Sequence, residues 1–295
     1  MCKKPFSYFK AISILLLFCS FFTWGQSTDL VRLEYLRIPE NDTGIKTSRY
    51  KALINAPLKL KNDDYFVLGA EYNEFDVDFS KALPFDAAIV ERLHIIDLNL
   101  GYISKWNDSW RLIGVVTPRL ASNLTMGTTM DDFFFNATAT FLKDVKDVDK
   151  PFRIVVGLSF NSTTGLPIPL PLVSYYKRFH PNWSYTVGVP KSNFKFHPSP
   201  KHTLQMALFL DGYFINIQND FVLPSGLTAS KISLSSLVGT LGYQYNFNKL
   251  MSWYVLMGRS ILQEGILRND KRDRVLLLND EANLYIRTGF KIAIF

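Results

Sequence analysis

From Ala282 to Phe295 the chain alternates strictly between two kinds of residue. Leu284, Ile286, Thr288, Phe290, Ile292 and Ile294 share one parity; Asn283, Tyr285, Arg287, Gly289, Lys291 and Ala293 share the other. A period of two puts successive side chains on opposite faces of a strand, so this stretch predicts a sheet with one apolar and one polar face. It is the dyad pattern of a strand that crosses a membrane, and the chain ends there on an aromatic residue.

The same period recurs upstream. Phe66, Leu68, Ala70 and Tyr72 alternate with Gly69, Glu71 and Asn73, and Ile96, Leu98, Leu100 and Tyr102 with Asp97, Asn99 and Gly101. Phe133, Phe135, Ala137, Ala139 and Phe141 alternate with Asn136, Thr138 and Thr140, and Phe152 to Asn161 and Thr240 to Phe247 repeat the pattern. One such segment carries little; several together predict antiparallel sheet. No long amphipathic helix and no solenoid or propeller period is visible.

The N-terminus has Lys3, Lys4 and Lys10, an apolar run from Ala11 to Phe22, and then Thr23-Trp24-Gly25-Gln26. That arrangement predicts a secretory signal over residues 1–25, removed after Gly25, with residues 26–295 forming a single domain. The run is too short for a comfortable transmembrane helix, and no other segment approaches about eighteen apolar residues. Cys19 follows Leu17-Phe18 rather than small residues, so lipidation is not expected. Cys2 and Cys19 are the only cysteines, so the mature chain is expected to carry no thiol or disulfide. Losing three lysines lowers the net charge from +7 to +4, too small a balance to indicate nucleic acid.

Connections come in two kinds. Short polar turns are predicted at Lys61 to Asp64, Lys105 to Ser109, Asp147 to Lys150, His180 to Asn182, His197 to Lys201 and Asn246 to Lys249. Longer loops are predicted at Glu40 to Thr47, Lys81 to Val90, Asn123 to Asp131, Ser162 to Pro171, Gln218 to Ala229 and Gln263 to Asp280. With a tight reversal at Val189-Pro190 this gives about fourteen strands, or twelve if one hairpin is lost. Trp106, Trp110, Trp183 and Trp253 each lie in or near a short turn. Trp favours the membrane–water interface, so these four are expected to form a periplasmic aromatic girdle. A secreted β-sandwich would share the alternation but not the terminal strand or the Trp placement.

Together these features resemble the outer-membrane β-barrels of Gram-negative bacteria. They resemble especially an uncharacterised family, a domain of unknown function, of similar length and ending in a segment like Tyr285-Ile286-Arg287-Thr288-Gly289-Phe290-Lys291. Phe295 departs from the usual pattern by falling out of phase with the apolar face. The resemblance implies a transmembrane antiparallel up-and-down β-barrel in outer-membrane lipid, with the C-terminal strand read by the barrel-assembly machinery. Val31, Leu33 and Tyr35 alternate almost from the cleavage site, which leaves no expected room for the plug of iron-chelate receptors or the hatch of fatty-acid transporters.

Inward-facing candidates are Glu71, Asp97, Arg111, Arg119, Arg153, Asp211 and Arg287. Such charges either pair and fill the lumen or line a path for polar solutes. Passive or facilitated passage of small solutes is the expectation, and a closed structural or surface-binding barrel with an ion-paired lumen is the alternative. Glu74, Asp76 and Asp78 alternate with Phe75, Val77 and Phe79 in reversed phase, which predicts a bulge or the strand's exit from the membrane. No catalytic residue, metal site or cofactor is expected. His197-Pro198-Ser199 is the nearest approach to a barrel hydrolase or acyltransferase, but it falls in a predicted turn. Gly165 to Pro171 reads as a stiff outer connector, not a phosphate cradle.

Overall fold

The computed structural model describes residues 28–162 and 169–294. The expected signal, most of the Gly165 to Pro171 connector and the register of Phe295 therefore lie outside the described residues. Strands β1 (Thr28–Ile38), β2 (Ile45–Lys59), β3 (Tyr65–Phe79), β4 (Arg92–Lys105) and β5 (Trp110–Ser122) come first. They are followed by β6 (Phe133–Val145), β7 (Phe152–Phe160), β8 (Pro169–His180), β9 (Trp183–Val189) and β10 (Lys191–Ser199). The last five are β11 (His202–Val222), β12 (Thr228–Asn246), β13 (Met251–Arg268), β14 (Arg274–Asn279) and β15 (Leu284–Ile294).

Each strand up to β13 pairs antiparallel with the next, β13 pairs with β15, and β15 pairs with β1. The sheet thus closes into a fourteen-strand up-and-down barrel. Strand β14 stays outside the ring, paired only with the end of β13 from Gly265 to Arg268. It explains why Gln263 to Asp280, expected to be one loop, is largely strand. Gln218 to Ala229 shrinks in the same way, since β11 runs to Val222 and β12 begins at Thr228. The sequence there lacks an apolar outer face because these strand ends have left the membrane. Polar residues in them therefore resemble a loop.

Closure buries the strand edges, whose unpaired amides lipid could not satisfy. Outward positions carry the apolar row: Leu33, Ile54, Leu68, Leu98, Val116, Leu158, Leu208, Leu241 and Met257 are all strongly exposed. In water such a band would drive aggregation; in a bilayer it faces acyl chains. The phase reversal in β3 involves no bulge, because its register with β2 and β4 runs unbroken through Asp76. The strand leaves the membrane there, turning Glu74, Asp76 and Asp78 outward while Phe75 and Val77 are 3% exposed inside.

The wall is uneven. Strands β11, β12 and β13 have 21, 19 and 18 residues, whereas β9 has 7 and β10 has 9. A tilted strand needs about 9–11 residues to cross the hydrocarbon, so the β9–β10 hairpin is a low stave. Above it β11 leans across the barrel, and Asn216 forms a parallel bridge with Ser122 of β5. This crossing brings β11 over the loop end of the ring. Ile45, Phe75, Val90, Leu93, Ile215, Ile217, Ile232 and Leu267 pack beneath it as one apolar core inside the ring.

Candidate functional site

The lumen divides into levels set by which residues alternate inward. Below the apolar core, β1 supplies Glu34, β2 Arg49, β11 Asp211, β13 Tyr254 and β15 Tyr285 and Arg287. Arg49 donates to Glu34 at 2.8 Å through Nη2 and to Asp211 at 3.1 Å through Nη1. Tyr254 donates to the second Glu34 oxygen at 2.5 Å, and Tyr285 to Asp211 at 2.6 Å. Arg287 donates to Asp211 at 2.5 Å and stands 3.5 Å from Glu34. Glu34 is 6% exposed and Arg49 7%. Two carboxylates and two guanidiniums removed from water are tolerable only because each is paired and hydrogen-bonded. Since β2 and β11 are not neighbours in the ring, the Arg49–Asp211 bond crosses the lumen.

A second row lies along β2 to β5. Glu71 and Asp97 sit directly opposite each other on β3 and β4, an unfavourable pairing of like charges. Each has its own cation. Lys51 meets Glu71 at 2.6 Å, and Arg119 grips Asp97 with two bonds of 2.7 Å. The planar fork of Arg matches a carboxylate in this bidentate way. Leu36, Phe209, Val238 and Leu256 pack with Tyr254 and Tyr285 of the central cluster.

The expected inward residues therefore separate into groups. Asp97 and Arg119 bond to each other, Asp211 and Arg287 join the central cluster, and Glu71 takes Lys51. Arg153 lies nearer the turn end, 3.3 Å from Asp144 and over the Tyr176 ring. Arg111 has a buried guanidinium nitrogen without a hydrogen-bond partner, as do Arg49, Arg153 and Arg287. Sequence reasoning missed Glu34, Arg49, Lys51, Tyr254 and Tyr285. The signal was present in β2, where Arg49, Lys51 and Leu53 alternate with Tyr50, Ala52 and Ile54.

The four tryptophans all project from the outer face near the end that carries the short turns. Trp106 packs on Phe141, Trp183 on Phe194 and Phe196, and Trp253 on Tyr243 while bonding Thr288. Trp110 lies beneath the Lys143 ammonium. The ring contacts continue through Phe152, Tyr175, Tyr185 and Phe179, making a partial belt of aromatic side chains.

His197 differs from its expected place in a turn: it belongs to β10 and points inward. Its Nε2 is 3.0 Å from the Ser184 hydroxyl and its Nδ1 is 3.1 Å from that of Thr203. A serine, an imidazole and a third group in line resemble a nucleophilic relay. The third group is a neutral hydroxyl, which cannot stabilise an imidazolium as a carboxylate does, and Ser184 is 2% exposed. The geometry describes three satisfied polar side chains.

At the loop end Asp132 is inaccessible to solvent and closes a polar hub. It accepts from the Thr129 amide at 2.7 Å, from Asn216 at 2.8 Å and from Gln218 at 2.8 Å. Burial works against its ionisation, but these donors outweigh it and hold the carboxyl below its usual range. The hub ties the loop after β5 to the leaning part of β11.

Several solved structures are similar to this chain. The NanC porin matches at 11% identity over 89% of this chain and 98% of that one, with a TM-score of 0.36. The KdgM porin, solved in complex with disordered oligogalacturonate, matches at 10% identity over 90% and 100%, with a TM-score of 0.35. LpxR from Salmonella typhimurium matches at 8% identity over 89% and 99%, with a TM-score of 0.40. No curated protein matches in sequence. A family model does, over residues 39–293, and the chain belongs to the family described as a domain of unknown function, DUF6268.

Proposed function

We propose that this protein is a closed outer-membrane barrel, with the role of a structural or surface-binding element in the bilayer rather than that of an open pore. The observation that carries the reading is the cross-lumen cluster of Glu34, Arg49, Asp211 and Arg287 beneath the apolar core at the loop end. Ion entry at that level would require separating buried pairs, and removing one partner of such a pair costs about 3–5 kcal/mol. In this reading the signal is cleaved before Gln26. The turn end with its tryptophans faces the periplasm, and the C-terminal strand is the one that the assembly machinery engages.

A second reading keeps the passage of small solutes. It is favoured by the polar, cation-rich turn-end half of the lumen, which a purely structural barrel does not need. The two separate in a vesicle-swelling assay. Proteoliposomes of the mature chain in an isotonic small-sugar solution are expected to swell no faster than empty vesicles. Swelling that scales with protein content and falls with sugar size would refute the closed reading and establish passage.

A further inference from the structure

Among lumen side chains, Lys191 and Lys195 of β10 and Lys291 of β15 have a distinctive situation. Among the described residues none of the three has an ion pair or a side-chain hydrogen bond, in contrast to the balanced clusters above them. Register shows that this is not a matter of missing neighbours. Lys195 is flanked across its strands by Ser184 and Gln205, and the next inward residue, Asn193, by Thr186 and Ala207. Lys291 sits opposite Ser252 on one side and opposite Arg32 on the other. Like charges directly opposite on a sheet are destabilising. The acids near this pair are already engaged, Asp29 by Arg32 and Glu34 by Arg49 and Arg287.

The three lysines also point into the same half of the lumen. Lys195 lies within Coulombic reach of Lys191 and Lys291, and Lys191 within reach of Lys291, Arg32 and Arg287. Lys191 caps the Phe209 ring at 5.7 Å and Lys291 the Tyr254 ring at 5.9 Å, so both chains are held in the chamber. The acids within reach, Glu34 and Asp29, are already committed to Arg49, Arg287 and Arg32, so the ammonium groups gathered from β10 and β15 lack a counter-charge of their own and repel one another when the chamber is empty. A counter-ion removes the repulsion.

We propose that the turn-end half of the lumen is a binding site for a multivalent phosphate-class oxyanion, held by Lys191, Lys195 and Lys291 and entered from the turn end. Ammonium groups act as mobile point charges with three donors each, which suits a tetrahedral anion approached from several sides. Thr186, Asn193 and Gln205 add neutral hydrogen-bonding groups around it. The apolar core closes the opposite end, so the anion enters and leaves on one side. The site does not depend on whether the barrel ever opens, and its failure would leave the closed reading untouched.

The probe is pyrophosphate, with sodium chloride at matched ionic strength as the control, added to the folded mature chain in detergent. Phosphorus NMR of pyrophosphate is expected to broaden with wild-type protein, and the thermal midpoint is expected to rise by several degrees above the chloride control. K195Q/K291Q is expected to lose at least ten-fold in affinity. Without ligand it is expected to melt at or above the wild-type temperature, because repulsion has been relieved. K271Q, at an exposed loop-end lysine, is expected to behave as wild type. Absence of broadening with wild type, equal binding by K195Q/K291Q, or a ligand-free K195Q less stable than wild type would each overturn the proposal. If the double variant does not fold, the wild-type spectrum and K195Q alone decide.

Discussion

Asp211→Asn is the sharpest perturbation of the lumen, because one carboxylate serves three donors from β2 and β15. It accepts from Arg49 at 3.1 Å, from Tyr285 at 2.6 Å and from Arg287 at 2.5 Å. The amide is nearly isosteric, so the loss is electrostatic rather than steric. Glu34 remains to neutralise one guanidinium, leaving the other with no full counter-charge. Hydrogen bonds to charged groups contribute about 1.5–3 kcal/mol each, but members of one cluster are not additive. The cost of unpairing one buried charge, about 3–5 kcal/mol, is therefore the better measure. Urea-induced unfolding of the barrel in lipid vesicles, followed by tryptophan fluorescence, reads this directly. The double variant Asp211→Asn with Arg287→Met is expected to recover at least half of the loss, since the stranded charge has gone. If the single variant lies within 1 kcal/mol of wild type, or the double is worse by the sum of the singles, the reasoning on charge pairing is refuted.

Asp132→Ala is expected to free the loop after β5, raising its proteolysis and amide exchange while the membrane strands stay protected, because Thr129, Asn216 and Gln218 lose their shared acceptor. The pH dependence has a definite sign. The folded carboxyl lies below its usual value, so its contribution is full above about pH 4 and is lost as pH falls through the folded value. Loop protection, after correction for the intrinsic pH dependence of amide exchange, should therefore fall on acidification in wild type and stay flat for Asp132→Ala. For topology, a Cys at Lys271, exposed at the loop end, should label in intact cells, and one at Asn182, exposed in a short turn, should label only after permeabilisation. The reverse pattern would invert the barrel.

How much was legible follows from where a residue sits relative to the membrane. Within the belt, lipid demands apolar residues at every second position, and the C-terminal strand, β3, β4, β6 and β7 were readable for that reason. The turns were readable too, because hairpins as short as His180-Pro181-Asn182 need particular residues. Outside the belt the constraint lapses. Strand β14 and the far ends of β11 to β13 face water on one side and the internal core on the other. Their alternation is inverted, as in Phe75 to Phe79, or lost among polar residues such as Gln218, Asn219 and Asp220. Parity could say that Asp211 and Arg287 share a face. It could not say that β11 leans inward and brings them to Glu34 and Arg49, since that depends on the short β9–β10 stave.

The central claim is that the lumen is closed, and planar-bilayer recording tests it most directly. Purified mature protein inserted into a planar bilayer in 1 M KCl, with insertion verified by a fluorescent tag, is expected to show no stepwise conductance across ±100 mV. Regular, ohmic steps from the wild-type barrel would mean that the Glu34–Arg49–Asp211–Arg287 cluster and the apolar core above it do not seal the channel, and would contradict the account.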